Sequence, residues 1–299
     1  MFQVLTHDIL PVFAMLALGF VMGRTGAATA DEARVINRFA FLVLQPALIF
    51  PLIAGMELAR FDPEALGTYA LCEVVAFTTA YLLARRAFQR EHLESWLLAM
   101  AVVFVNSLLY IWPISYLIYG EAAALPVTAI VAWDSAVSFS FFIVSMELMA
   151  GRHGGRTAAR RVATNPILLA IFLGLCVNAL GLAVPEPVLT AADFAGAGAA
   201  PLTLFALGVV LAGQALRPTA TVIAISAMKL VGFPLLVWAA MALFVAESGW
   251  RDQFVLTAAG PSGAMAFALA LLYGVRTDCI APVIIWTSTL SLISLALLA

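Results

Sequence analysis

Residues 251–274 read RDQFVLTAAGPSGAMAFALALLYG, a mostly apolar stretch interrupted at its centre by Gly260-Pro261-Ser262-Gly263. A bilayer core about 30 Å thick takes roughly 20 apolar residues as a helix, so this stretch is long enough to span one. Proline removes a backbone donor and frees a carbonyl, and in lipid the groups so released must line a cavity or find partners. Two readings follow. Either the span is a helix broken near the bilayer midplane, or it is a continuous helix with a proline kink and small packing residues.

Working outward, residues 96–119 (WLLAMAVVFVNSLLYIWPISYLIY) form a second such span, with Asn106-Ser107 near its middle and Pro113 two turns on. On the same ruler further spans fall near 5–23, 35–55, 66–86, 125–149, 163–182, 196–216, 219–246 and 280–298. The expected fold is therefore an all-α polytopic membrane protein of ten transmembrane helices, one membrane domain over 1–299. Composition agrees, because 64% of residues are apolar and only 11% charged, with a mean hydropathy of +1.05. A water-soluble domain carries about 25% charged residues. The net charge of −2 supplies no basic field for nucleic acid. Cys72, Cys176 and Cys279 lie in apolar segments without metal-ligand spacing and read as packing residues. No cofactor is implied, and no hydrolase or phosphate-cradling motif is present. Met1-Phe2-Gln3-Val4 has no basic region ahead of its apolar run, so the first stretch reads as a true span and not a cleaved signal.

Orientation follows from the loops. Arg24, Arg34, Arg38, Arg85, Arg86, Arg90, Arg152, Arg156, Arg160, Arg161, Arg217 and Arg276 fall beside odd-numbered connections, against Arg60 and Arg251 beside even-numbered ones. The positive-inside bias places the odd connections in the cytoplasm and both termini on the other side of the inner membrane.

The chain also repeats. Pro46-Ala47-Leu48-Ile49-Phe50 matches Pro201-Leu202-Thr203-Leu204-Phe205, Cys72–Phe77 matches Met228–Phe233, Tyr119-Gly120 matches Tyr273-Gly274, and Pro126-Val127 matches Pro282-Val283. The offsets, 155, 156, 154 and 156 residues, are nearly constant. Residues 1–150 and 162–299 are thus read as two five-helix repeats joined by a short basic cytoplasmic linker at 151–161. An odd number of helices per repeat inverts the second, as in many secondary transporters, whose sites lie near the midplane at discontinuous helices. The symmetry favours interrupted fourth and ninth helices that cross. Asn106, Ser107, Pro113, Gly260, Pro261, Ser262 and Gly263 are then the substrate-binding candidates, with exposed N–H groups and helix dipoles meeting an anion.

Ionisable groups inside a membrane are functional by default. Glu73 in the third span and Lys229 at its repeat-related position in the eighth are two, and Asp134, mid-way along the fifth beside Ser135 and Ser138, is the deepest acid. Desolvation disfavours a charged carboxyl, so Glu73 and Asp134 are candidate carriers of a coupling proton and Lys229 a compensating charge. The competing reading lets Glu73 and Lys229 snorkel to opposite interfaces. Glu147, Gln214 and Glu247, near span ends, read as interfacial.

These residues resemble the auxin efflux carrier family. The likeness is carried by Asn165-Pro166-Ile167 with Gly174, by Ala200-Pro201-Leu202-Thr203-Leu204-Phe205-Ala206-Leu207-Gly208, by Gln45–Phe50, by Ala270 to Gly274 and by Ser288–Ser291. The resemblance covers essentially the whole chain. It implies a fold similar to sodium/bile-acid symporters and sodium/proton antiporters, with a scaffold and a transport domain and the substrate at the crossing helices. It implies a small-carboxylate substrate, as in bacterial members assigned to malonate. Apart from the resemblance, no metal or cofactor is expected, and the expected partners are that anion, the lipid bilayer and a second copy in a homodimer. Two departures stand out. The family's fourth helix tends to read Asn-x-Gly-x-x-Gly-x-Pro, and here Leu108 and Ile111 replace the glycines between Asn106 and Pro113. The ninth often has an asparagine four residues after its proline, and here that residue is Met265. The expectation is a kept crossover with a more apolar pocket. The leading function is transport of a small organic anion, coupled to protons or to membrane potential. The alternative is a membrane sensor or scaffold that keeps the carrier fold without transporting.

Overall fold

The protein's structure, a computed structural model, describes residues 3–120, 124–150, 154–214 and 216–298, and the side chains of all of these except 154–158. In chain order the helices are α1 (Val4–Thr25), α2 (Ala30–Ala54), α3 (Pro63–Ala87), α4 (His92–Val103), α5 (Ser107–Tyr119), α6 (Ala124–Ala150) and α7 (Gly154–Ala163). There follow α8 (Pro166–Ala179), α9 (Glu186–Ala212), α10 (Ala220–Phe244), α11 (Arg251–Ala258), α12 (Met265–Tyr273) and α13 (Ile280–Leu298). Seven of them, α1, α2, α3, α6, α9, α10 and α13, are long and apolar enough to cross a membrane. Among the described residues there is no β-strand, only an isolated antiparallel bridge between Val105 and Ser262.

Local chemistry sets the ends. Thr29 and Glu32 form a reciprocal capping box that starts α2 five residues before the apolar run begins. Asp62 caps α3 through Ala65 N–H at 2.9 Å, with Pro63 at the first turn where its missing N–H costs nothing. Asn165 accepts from Ile167 and Leu168 N–H at 2.9 and 3.3 Å ahead of Pro166, which fixes the start of α8. Three stretches differ from the sequence expectation. Helix α9 begins at Glu186, ten residues before the apolar run at 196, because Pro185 and Pro187 open a helical turn outside it. Helix α8 has only 14 residues and is shorter than the expected 163–182 span. The linker is helical from Gly154 on; its residues 151–153 lie outside the described residues.

Two packed groups result. Helices α1, α2, α8 and α9 form one, with α1 on α9 and α2 on both α8 and α9. Backbones approach closely there: a Cβ at Gly23 would sit 2.7 Å from Ala212 Cβ, and Gly19 and Gly208 face the main chain of the opposite helix. Close approach through small residues is how apolar helices gain contact energy in lipid. The other group holds α3 to α6 and α10 to α13, with α7 packed on the end of α6. Its buried core runs through α4, α11 and the first half of α13. Among the described residues, α5 meets α9 and α8 meets the middle of α6 where the two groups touch.

A crossing of two broken helices and a buried charge cluster

Helices α4 and α11 end, and α5 and α12 begin, at one place. After Val103 the chain turns extended at Phe104 (ψ 97°) and resumes as helix at Ser107. After Ala258 it leaves the helix through Gly260-Pro261-Ser262 and resumes at Met265. The two non-helical segments pair antiparallel. Asn106 N–H donates to Pro261 O at 3.0 Å and Gly263 N–H to Phe104 O at 2.8 Å. Ser262 Oγ donates to Ala101 O at 2.6 Å, and its N–H to Thr287 Oγ1 of α13 at 3.2 Å. Backbone groups freed by the breaks thus satisfy one another, as a non-aqueous interior demands. The kinked-helix reading is excluded for both stretches.

The first turn of a helix leaves N–H groups with no intrahelical partner. Here neither Asn106, ahead of α5, nor Ala264, ahead of α12, places a side-chain cap on them. Both starts border a cavity of about 100 Å³, lined by Asn106, Ser107 and Gly263 and, from the other helix group, by Gln45, Thr203 and Ile167. Phe104, Leu108, Leu207 and Met265 make its wall apolar, and Ser135 adds a hydroxyl. Among the described residues no cationic side chain lines it, and the positive field these residues supply there is that of two helix N-termini. Of the sequence candidates, Asn106, Ser107 and Gly263 line the cavity, whereas Gly260, Pro261 and Ser262 build the crossing behind it. Pro113 lies further along α5, just past a wide turn at Ser107–Ile111 where Tyr110 and Ile111 N–H both reach Asn106 O. Gln45 and Thr203 were missed. The available signal was a glutamine within an otherwise apolar span.

Next to the crossing sits the charge cluster. Glu73, Asp134 and Lys229 are 6%, 1% and 0% exposed, which excludes snorkelling to the interfaces. Asp134 and Lys229 each lie in a π turn, Asp134–Ser138 and Met228–Gly232, an irregularity that often marks functional positions. Trp133 Nε1–H and Ser138 Oγ–H donate to Glu73 Oε2 at 2.6 and 3.2 Å, and Ser107 Oγ–H to Asp134 Oδ2 at 3.1 Å. Ser107 thereby joins the cluster to the cavity. The two carboxyl groups lie within hydrogen-bonding reach of each other, and Glu73 Oε1 and Asp134 Oδ1 receive no donor among the described residues. Two carboxyl oxygens are both acceptors, so that contact becomes a hydrogen bond only with a proton between them. Lys229 Nζ is near enough to feel both acids, but its hydrogen bond goes to Ala258 O, at 2.7 Å, and it stands 4.9 Å over the Phe233 ring.

Two other buried acids have full cationic partners. Glu94 meets Arg90 at 3.4 Å and Arg276 at 3.0 Å. Glu147, expected at an interface, is buried instead because Arg161 at 3.1 Å and Tyr273 Oη at 2.5 Å enclose it.

A chain whose described regular elements are all helices, seven of them long and apolar enough to span a bilayer, is a multi-pass integral membrane protein. A family model described as membrane transport protein matches residues 4–161 and 152–299, and the chain belongs to that family, the auxin efflux carriers whose motifs it carries. It is a transport family and not an enzyme family. Similar proteins include one of Rhizobium meliloti (strain 1021) named "Putative malonate transporter", 29% identical over 96% of this chain and 92% of that one. Another is an "Uncharacterized transporter" of Methanothermobacter thermautotrophicus, 28% identical over 98% of this chain and 96% of its own. A third, YfdV of Escherichia coli (strain K12), also named an uncharacterized transporter, is 23% identical over 90% and 88%.

Proposed function

We propose that the chain is a secondary active transporter that carries a small organic anion across the inner membrane by alternating access, with the substrate at the α4/α5–α11/α12 crossing. The observation that carries this reading is the pair of uncapped helix starts facing one small cavity between two helix groups. Exposed N–H groups and the positive ends of two helix dipoles suit a carboxylate, and among the described residues no side-chain cation lines the cavity to compete for it. Counting α4 with α5 and α11 with α12 as single interrupted helices, and α7 as the linker, gives ten crossings. In this reading they form two inverted five-helix repeats, 1–150 and 162–299, with both termini outside the cytoplasm. The named substrate of the Rhizobium meliloti relative is a small dicarboxylate, which fits the size of the cavity. Glu73 and Asp134 form the proton-carrying pair in this scheme and Lys229 supplies the fixed compensating charge.

The test is exchange of radiolabelled malonate in proteoliposomes loaded with unlabelled malonate. Saturable exchange is expected, with loss of most of it in Asn106→Ala, which removes a cavity-lining amide. A folded wild-type protein that exchanges no short carboxylate would favour the second reading, a non-transporting sensor. The observation on that side is Leu108, a bulky cavity wall where the family tends to have glycine.

A further inference from the structure

Gln45 stands alone among apolar neighbours in Phe41–Phe50, in the middle of α2, and is only 5% exposed. A primary amide has two N–H donors and a carbonyl acceptor, and leaving these without partners in an apolar interior is unfavourable by about 1–3 kcal/mol. Its one hydrogen bond among the described residues is to Thr203 Oγ1 of α9, at 3.4 Å, the long limit for such a bond. Both side chains border the cavity opposite the starts of α5 and α12. The two faces belong to different helix groups: Gln45 and Thr203 to the α1–α2–α8–α9 group, the two helix starts to the other.

We infer that Gln45 and Thr203 determine specificity by reading a second oxygen-bearing group on the substrate, a carboxyl or a hydroxyl, while the first carboxylate sits on the helix starts. The inference rests on the organic-anion reading above and narrows its substrate class to short dicarboxylates and hydroxycarboxylates, against simple alkanoates. The amide donates to a carboxylate or accepts from a hydroxyl, and the Thr203 hydroxyl does the same. A substrate held this way bridges the two helix groups and draws them together. A simple alkanoate touches one group and leaves Gln45 in its long bond to Thr203. The cavity, about 100 Å³, suits a short-chain acid better than a bulky one.

The experiment compares malonate, 3-hydroxypropionate and propionate as competitors of radiolabelled malonate exchange, in wild type and in Gln45→Leu and Thr203→Val. Wild type is expected to favour the first two over propionate by about tenfold or more, the worth of one hydrogen bond to a charged or buried group. Gln45→Leu should raise the malonate KM by about tenfold and leave the weak competition by propionate unchanged, with Thr203→Val in the same direction but smaller. Folding of each variant is checked by its monodispersity in detergent. Variants that weaken malonate and propionate equally, or that keep the wild-type malonate KM, overturn the inference. If both variants fail to fold, the wild-type ranking decides, and equal competition by all three acids overturns it. A folded wild type that exchanges none of the acids overturns the anion reading itself.

Discussion

Lys229 donates to the main-chain carbonyl of Ala258, the last residue of α11, at 2.7 Å. A broken helix presents its negative dipole end at that point, and an ammonium is the natural partner for it. The same charge acts on Glu73 and Asp134 from beyond ion-pair distance, so one side chain holds the broken helix directly and the acids at longer range. Lys229→Met should lower the thermal stability of the detergent-purified protein, since stripping one partner from buried charged groups costs about 3–5 kcal/mol. Adding Glu73→Gln and Asp134→Asn to Lys229→Met should recover most of the lost stability without recovering transport. A Lys229→Met protein that melts with the wild type would show that the ammonium does not support the half-helix.

The replaced glycines of α5 have a structural counterpart across the crossing. A Cβ placed on Gly260 would lie 2.5 Å from Ile111 Cδ1 and 2.6 Å from Ile111 Cγ1. The bulk of Ile111 on α5 is accommodated where Gly260, just after α11, has no side chain. Gly260→Ala should therefore destabilise by about 1–3 kcal/mol through overpacking. Ile111→Ala should relieve it, with a coupling energy of about 0.5–3 kcal/mol in a double-mutant cycle. Gly263→Ala is the control. Its Cβ would meet Phe104 Cδ1 at 2.9 Å, Phe104 O at 3.1 Å and Val105 O at 3.3 Å, none of them an atom of Ile111. Additive effects of Gly260→Ala and Ile111→Ala would mean the two positions do not share that space.

Gly260-Pro261-Ser262-Gly263 marks a disruption in the sequence, because proline removes a backbone donor and glycine weakens a helix, but these residues alone fit a kink as well as a break. The break at Asn106 is different. Nothing in VFVNSLL forbids a helix, and only the offset to the second half points there. Glu73, Asp134 and Lys229 were legible because ionised groups are rare in spans. Their mutual contact was not, since it depends on the packing of α3, α6 and α10 and on two π turns with no residue signature. Gln45 and Thr203 became recognisable as cavity residues only when α2 and α9 faced the crossing. Helix α7 was illegible for a simpler reason. GRHGGRTAARR is rich in glycine and arginine and has no apolar face long enough to announce a helix, and its order comes from docking on α6 and from Arg161 on Glu147.

The arginine bias makes a statement about sidedness that labelling can check. Arg160 lies on the exposed side of α7. With Cys72, Cys176 and Cys279 replaced, a cysteine at position 160 should stay unlabelled by membrane-impermeant maleimides in intact cells and react after permeabilisation. Arg60 on the opposite side, exposed in its pair with Glu57, should give a cysteine that labels in intact cells. The reverse pattern would invert the assigned topology.

The acid pair carries the coupling prediction. An anion moved inward against a negative-inside potential needs a compensating positive charge, and a proton shared by two carboxyl groups can supply it. Among the described residues Glu73 Oε1 and Asp134 Oδ1 receive no donor, while Glu94 and Glu147 are held by arginines. Ser107 connects the pair to the cavity through its bond to Asp134, so in the proposed scheme proton and substrate occupancy would act on the same residue. Asp134→Asn keeps the shape and supplies a permanent donor to Glu73, which mimics the proton-loaded state. In proteoliposomes it should abolish accumulation driven by an imposed proton gradient while leaving malonate exchange, which moves no net proton, within about threefold of wild type. Glu73→Gln should behave in the same way if the two acids work as one unit. Accumulation retained in Asp134→Asn but lost in Glu73→Gln would assign the proton to Glu73 alone. Accumulation retained in both would remove buried carboxyl groups from the coupling and leave the membrane potential as the driving force.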